Sequence, residues 1–107
     1  MHLMVLIYDS SLDAEMTKVL RQSAHAVGCQ CHYTKIRDAE GAGTTGIREG
    51  TWEHPGSNNV VFCAACPEEV EAMTQALEEF RKKKTDEEGD AAYLSFKMIV
   101  VPIISMK

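Results

Sequence analysis

Closely spaced glycines let backbone N–H groups approach a phosphate or carboxylate, as in anion-binding nests, and Gly41-Ala-Gly43-Thr-Thr-Gly46 is such a string. It also fits G-x-G-x-x-G, but the dinucleotide fingerprint must follow a strand and open a helix. Here Arg48, Glu49, Gly50 and Thr51 lead into Pro55-Gly56, which is no helix pattern, so a Rossmann reading is set aside. A second grouping is Cys29-Gln-Cys31-His32, with His54 further along the chain. Thiolates and imidazoles are the ligands of Zn or Cu(I) sites, and alternate residues of a strand share a face. Cys29, Cys31, His32 and His54 are therefore candidate metal ligands; otherwise the stretch is a helix-to-strand junction with incidental thiols. A third, Cys63-Ala-Ala-Cys66-Pro67, leads into a helix N-terminus, where a thiolate is stabilised. Cys63 belongs to an apolar strand pattern and reads as a small hydrophobe, while Cys66 reads as the residue that caps the helix.

The segment that holds the glycine string is unusual for so short a chain. Residues 37–59 contain five of the seven glycines, one of the three prolines and the single tryptophan. Connections longer than about 12–15 residues in a compact domain are usually functional or disordered. Arg48, Trp52 and His54 lie in this segment, and exposed aromatic and Arg residues are typical anchors for a partner. A loop packed onto its own scaffold would bury them equally well. The chain carries no Ser/His/Asp signature, carboxylate pair or P-loop, and nothing favours an enzyme.

Flanking patterns supply the scaffold. His2 to Tyr8 is a short apolar run of strand formers. Asp9, Ser10 and Ser11 offer a turn and a helix cap, Asp13 and Glu15 sit in the first turn, and Met16, Val19, Leu20, Ala24 and Val27 recur at helical spacing up to Gly28. Gln30 to Arg37 alternates as a half-exposed strand, and Val60 to Ala65 is a third strand. Pro67 opens a second helix with Glu68, Glu69 and Glu71 behind it; Val70, Met73, Leu77 and Phe80 form its buried stripe. Arg81 to Lys84 are placed in its last turn, followed by a polar connection and a final strand from Tyr93 to Ile104. The order is an α+β, ferredoxin-like βαββαβ plan with an antiparallel sheet, a single domain over 1–107 with a long loop at 38–59 between strands two and three. In this plan both helices cover one face of the sheet, yet LMVLI, VVFCAA and MIVVPII are apolar on both faces. The expectation is an oligomer of identical chains whose sheets face inward.

Composition narrows the class. A net charge of −5 argues against general nucleic-acid binding, which needs phosphate-neutralising cations. No apolar run approaches the roughly 20 residues of a membrane span, and the N-terminal residues lack the basic flank and cleavage site of a signal peptide. The expectation is a cytoplasmic protein with reduced cysteines and no direct membrane insertion.

Two stretches, Tyr33-Thr-Lys-Ile-Arg37 with the glycine-rich loop after it and Gly50-Thr-Trp-Glu-His-Pro-Gly-Ser-Asn-Asn-Val-Val-Phe62, resemble the PII-like signalling superfamily in its short, divergent form. The resemblance implies a ferredoxin-like homotrimer that regulates a target protein, often a membrane transporter or an enzyme. Its effectors, adenine nucleotides and small anions, bind in clefts between subunits and reshape the loop. Lys35, Arg37, Gly41, Gly43, Thr44, Thr45 and Gly46 match the start of that loop and are the implied ligand-binding residues. Thr44 and Thr45 stand where nitrogen-regulatory members carry an arginine and a glutamine, and the loop contains no tyrosine for uridylylation. Their nucleotide loop is reduced here to Thr85-Asp-Glu-Glu-Gly-Asp-Ala-Ala-Tyr-Leu-Ser-Phe96, without its lysine, which favours a smaller or less charged effector, or none. The alternative within the same trimeric plan is a Zn- or Cu-binding protein of the divalent-ion-tolerance type, using Cys29, Cys31, His32 and His54.

Overall fold

The apolar runs become strands of one sheet in a computed structural model, which describes residues 1–43, 46–48, 57–88 and 96–107. The strands are β1 (His2–Asp9), β2 (Thr34–Ala39), β3 (Gly41–Gly43), β4 (Gly46–Arg48), β5 (Asn58–Ala65) and β6 (Phe96–Pro102). The helices are α1 (Asp13–Ala26) and α2 (Pro67–Glu88), with a short 3₁₀ turn at Ser10–Leu12 before α1. The main sheet has the order β2-β5-β1-β6 with every neighbouring pair antiparallel, so the ferredoxin-like plan stands.

Local chemistry sets the element boundaries. Asp9 accepts from the Ser11 backbone N–H at 2.8 Å and starts the 3₁₀ turn. At the other end of α1 the backbone of Gly28 turns left-handed, at φ +74°. Gly28 N–H then reaches the His25 carbonyl at 3.0 Å and Cys29 N–H reaches that of Ala24 at 2.9 Å, closing the helix as a Schellman motif. Helix α2 opens with Val70 N–H donating to the Cys66 carbonyl at 3.1 Å, and Pro67 fills the first position, where its missing N–H costs nothing.

Several expected boundaries move. Residues 30–33 keep the alternation, with Cys31 and Tyr33 half-buried and Gln30 and His32 exposed, but the ladder to β5 begins only at Thr34 opposite Phe62. Periodicity reports side-chain facing, and pairing can stop earlier. Val27, expected in the buried stripe of α1, lies past the helix end and is exposed. Helix α2 runs on to Glu88, so Arg81 to Lys84 lie a turn before its end and have no dipole role there. Lys84 instead pairs with Glu15 of α1 at 3.1 Å, and the Arg81 guanidinium stacks 4.6 Å from the Phe96 ring and donates to its carbonyl. Two of the four cations thus hold α2 to α1 and β6.

Both helices pack on one face of the sheet. The core joins Met4, Leu6 and Tyr8 of β1, Val61, Cys63 and Ala65 of β5, Met16 and Leu20 of α1, and Met73, Leu77 and Phe80 of α2. On the opposite face the register lines up Phe62, Val5 and Ile99 in one row and Val60 and Ile7 in the next, with Ala64, Leu3 and Val101 in a third. Among the described residues neither helix covers these rows, and Phe62, Ile99 and Val101 are 36%, 45% and 43% exposed. No helix among the described residues is long and apolar enough to cross a membrane.

Met16 is 1% exposed at the centre of the helix–sheet contact. Met16→Ala is expected to cost about 2–5 kcal/mol, read as a lower urea midpoint with an unchanged slope.

Candidate functional site at the base of the glycine-rich hairpin

The 38–59 segment does not leave the sheet as a plain loop. Strand β2 carries a bulge between Ile36 and Ala39, and Asp38 takes a left-handed φ of 58°, which Asp tolerates better than most residues. Past the bulge the glycine string folds on itself. Strands β3 and β4 form a separate hairpin in which Gly41 faces Arg48, Ala42 faces Ile47 and Gly43 faces Gly46. A Cβ added at Gly41 would collide with the side-chain amide of Asn58, so glycine lets the hairpin lie close to the start of β5. Thr44, Thr45, Trp52 and His54 lie outside the described residues.

The base of the hairpin is a polar network built on one carboxylate. Asp13, at the start of α1, accepts from the Tyr8 hydroxyl at 2.6 Å, the Asn59 side-chain amide at 3.0 Å, Lys35 Nζ at 2.8 Å and Arg37 Nη1 at 3.0 Å. Those donors come from β1, β5 and β2. Asn59 is 2% exposed and uses both ends of its amide, because its Oδ1 accepts from the Asp38 N–H at 3.1 Å. The Ser57 hydroxyl donates to Asp38 Oδ1 at 3.2 Å and is hydrogen-bonded to the Ser10 hydroxyl at 3.0 Å, while Ser10 N–H donates to the Ser57 carbonyl at 2.9 Å. The left-handed turn at Asp38 is therefore held from both sides.

Charge follows from this geometry. Burial of Asp13 opposes its ionisation, but hydrogen bonds from Lys35, Tyr8 and Asn59 and the Lys35 charge outweigh it and hold the carboxyl well below its usual range. Burial, and then the bond to Asp13, push the Tyr8 phenol upward, so it remains a donor. Lys35 and Arg37, both expected to bind a ligand, divide. The Lys35 side chain is 10% exposed and spent on Asp13 and on the Thr17 hydroxyl at 2.9 Å. The Arg37 side chain is 64% exposed and gives one nitrogen to Asp13, leaving the rest of the fork facing solvent. Gly41–Gly43 and Gly46–Arg48 are extended strands paired with each other, so the group that the described base offers to an anion is the Arg37 guanidinium.

The expected metal ligands separate. Cys31 packs against the core, its thiol raised by burial, and His32 bonds the Gln30 side chain at 3.2 Å. Among the described residues, the grouping with ligand atoms close enough to share an ion is Cys29, Cys66 and Glu69, all half-buried and within 4.8 Å of one another. It lies at the far end of the sheet from the hairpin. The Cys29 and Cys66 Sγ atoms are 3.8 Å apart, and burial and the Cys66 contact push the Cys29 thiol up to about 11. Cys63, buried in the core, is likewise raised to about 11, mainly by burial. An open depression of about 400 Å³ beside this end is lined by Cys31, His32, Tyr33, Thr34, Phe62 and Ala64.

Asp13, Tyr8, Asn59, Ser57 and Asp38 escaped the reading of the sequence. The available signal was the polar pair Asn58-Asn59 opening an apolar run, together with an acid in the first turn of α1. Asp13→Asn is expected to cost about 3 kcal/mol at neutral pH, because the half-buried Lys35 loses its counter-charge. The folded carboxyl lies below its unfolded value, so its contribution is complete above about pH 5 and fades as the pH falls further. Urea unfolding at several pH values should show the gap between wild type and Asp13→Asn narrowing on acidification; a gap independent of pH would assign the loss to packing alone.

No family model and no curated protein matches the sequence. Solved structures do. The chain is similar to CPII, a nitrogen regulatory PII-like protein from Thiomonas intermedia K12, in its structure bound to ADP, AMP and bicarbonate: TM-score 0.65 and 15% identity over 94% of this chain and 82% of that one. The structure of CPII bound to ADP and bicarbonate gives a TM-score of 0.64 and 17% identity over the same shares. The hairpin-bearing ferredoxin-like sheet of this chain is the fold of the PII-like proteins.

Proposed function

We propose that the protein is a PII-like regulator without catalytic activity, which binds a small anionic effector beside the hairpin and signals to a target protein through the 38–59 segment. The observation that carries this reading is the glycine-rich hairpin standing on the Asp13 network with the Arg37 guanidinium exposed at its foot. A guanidinium fork is the chemistry that recognises a phosphate or a carboxylate, and glycines in the hairpin beside it let a ligand approach the backbone closely. Arg37 is free to turn toward a ligand because Asp13 keeps three other donors when it leaves. The likeness to CPII, whose structures hold ADP, AMP and bicarbonate, supports an adenine nucleotide or a small anion as effector.

The sheet supports a homotrimer in the same reading. Apolar rows of Leu3, Val5, Ile7, Phe62, Ile99 and Val101 need a cover that the described residues of one chain do not supply, and another copy is the simplest one. The hairpin would then stand near a boundary between subunits, and Arg48, Trp52 and His54 are the proposed anchors for a target such as a membrane transporter. A cytoplasmic location belongs with this reading.

Two measurements test it. In a thermal-shift series with ADP, AMP, ATP and bicarbonate, at least one compound is expected to stabilise the protein, by about 2.7 kcal/mol at one hundred times its Kd. Arg37→Ala should weaken that compound about tenfold, or about 1.4 kcal/mol, and a bulky residue at Gly43 or Gly46 should abolish the shift. No shift with any of the four removes the effector. Separately, light scattering at micromolar concentration should give a trimer mass that Ile99→Glu converts to monomer, and a sharp monomer mass for the wild type removes the assembly.

A further inference from the structure

The thiol cluster at the far end of the sheet is not used by the reading above. Cys29 is delivered there by the Schellman turn of α1, and Cys66 by the end of β5. Glu69 is brought to Cys66 by the first turn of α2, where its Oε1 accepts from the Cys66 N–H at 3.5 Å and from the Cys66 thiol at 3.4 Å. This is the carboxylate half of a capping box, with a cysteine at the cap, and it places the carboxylate close to both sulfurs.

The separations decide what this cluster suits. Zn–S bonds of about 2.3 Å meeting at a tetrahedral angle place two sulfurs about 3.8 Å apart, and with a Zn–O bond of about 2.1 Å they place sulfur and oxygen about 3.6 Å apart. The Cys29–Cys66 separation is 3.8 Å and the Cys66–Glu69 separation 3.4 Å. The sulfur pair and the sulfur–oxygen pair thus match two edges of a tetrahedral coordination shell, and the sulfurs are at the contact distance of two reduced thiols, well beyond the roughly 2.05 Å of a disulfide. All three side chains are half-buried, close enough to the surface for an ion to reach them.

We propose that Cys29, Cys66 and Glu69 form a binding site for a thiophilic divalent cation of the Zn²⁺ class, with water in the fourth position. Each thiol gives its proton to solvent on ligation, and two thiolates with one carboxylate suit a borderline-soft dication better than Mg²⁺ or Ca²⁺. The ion joins the end of α1 to the start of α2. Cys31 feels the Glu69 charge, but neither it nor His32 belongs to the group whose ligand atoms lie within 4.8 Å of one another, and the site lies at the opposite end of the sheet from the hairpin.

The test uses the full chain, reduced and freed of metal by a chelator, with Co²⁺ as the probe. A thiolate-to-cobalt charge-transfer band should saturate at one Co²⁺ per chain and vanish on addition of Zn²⁺. Cys29→Ser and Cys66→Ser should each weaken Co²⁺ at least about tenfold and Glu69→Gln measurably less, while Cys31→Ser stays within about twofold of wild type. Circular dichroism of each variant keeps loss of fold apart from loss of the site. A band absent at millimolar Co²⁺ from the folded wild type overturns the proposal. So does a band lost in Cys31→Ser and retained in Cys66→Ser, which would put the metal on the Cys29/Cys31/His32 side. Air oxidation that joins Cys29 to Cys66 in a chain that takes up no cobalt overturns it as well, in favour of a redox pair.

Discussion

The half-buried carboxylate of Asp13 is the interaction that the hairpin end of this molecule depends on. It is one residue of α1, yet it is bonded to β1 through Tyr8, to β5 through Asn59 and to β2 through Lys35 and Arg37. Three of these donors converge on Oδ1 and Arg37 takes Oδ2, so the carboxylate is held from three strands and fixes where the helix sits over the sheet. An isolated buried charge would be costly; Lys35 and the hydrogen bonds are what let it stay ionised. The arrangement also explains why Asn59 is an asparagine within an apolar strand. Its amide donates to Asp13 and accepts from Asp38, and an apolar residue of similar size would take one donor from Asp13 and this acceptor from the Asp38 N–H.

From that network the two ends of the sheet acquire different chemistry. At one end Ser57, Asp38 and Asn59 hold a left-handed turn that lifts the glycine string out of the main sheet, so that the hairpin rises from a rigid foot. At the other end the caps of the two helices meet, and the residues completing those caps are cysteines and a glutamate. Neither set depends on the other for position. A ligand at the hairpin would act on β2 and the start of β5, whereas an ion among the thiols would act on the end of α1 and the start of α2.

Much of the scaffold was legible in the sequence because it follows from side-chain facing. Met4, Leu6 and Tyr8 at spacing of two, and Met16 and Leu20 at spacing of four, mark buried faces whatever the rest of the chain does. Pro67 and Gly28 mark helix ends through backbone limits that act locally. What escaped depends on contacts distant in sequence. Cys29 looked like a partner for Cys31 because they are neighbours in the chain; the Schellman turn points it across the fold to Cys66, thirty-seven residues on. Lys35 and Arg37 looked equivalent on one strand face, and only the position of α1 makes one a buried counter-ion and the other a solvent-facing fork. Arg81 to Lys84 were misplaced for a related reason. Polar residues 85–88 read as a connection, but an exposed helix surface has the same composition, and the helix continues through them.

The strand patterns can now be set against strand position. Neighbouring strands pair the edges of a strand and leave its faces open, so β1 between β5 and β6 still presents Leu3, Val5 and Ile7 on the face away from the helices, while the alternating β2 suits an edge. β6 breaks that rule. It is the other edge strand of the sheet, and an edge is normally blunted with charge, proline or a bulge to prevent pairing with foreign strands. In β6 Lys97 and Pro102 stand near the ends, while Ile99, Val100 and Val101 between them are all at least 36% exposed. Ile99 and Val101 continue the rows of Val5 and Leu3 across the open face, so the exposed apolar surface is continuous from the centre of the sheet to its margin. A surface of that kind is what an interface between chains needs, and the residues that would be a hazard at a solvated edge are of the type that a buried one requires.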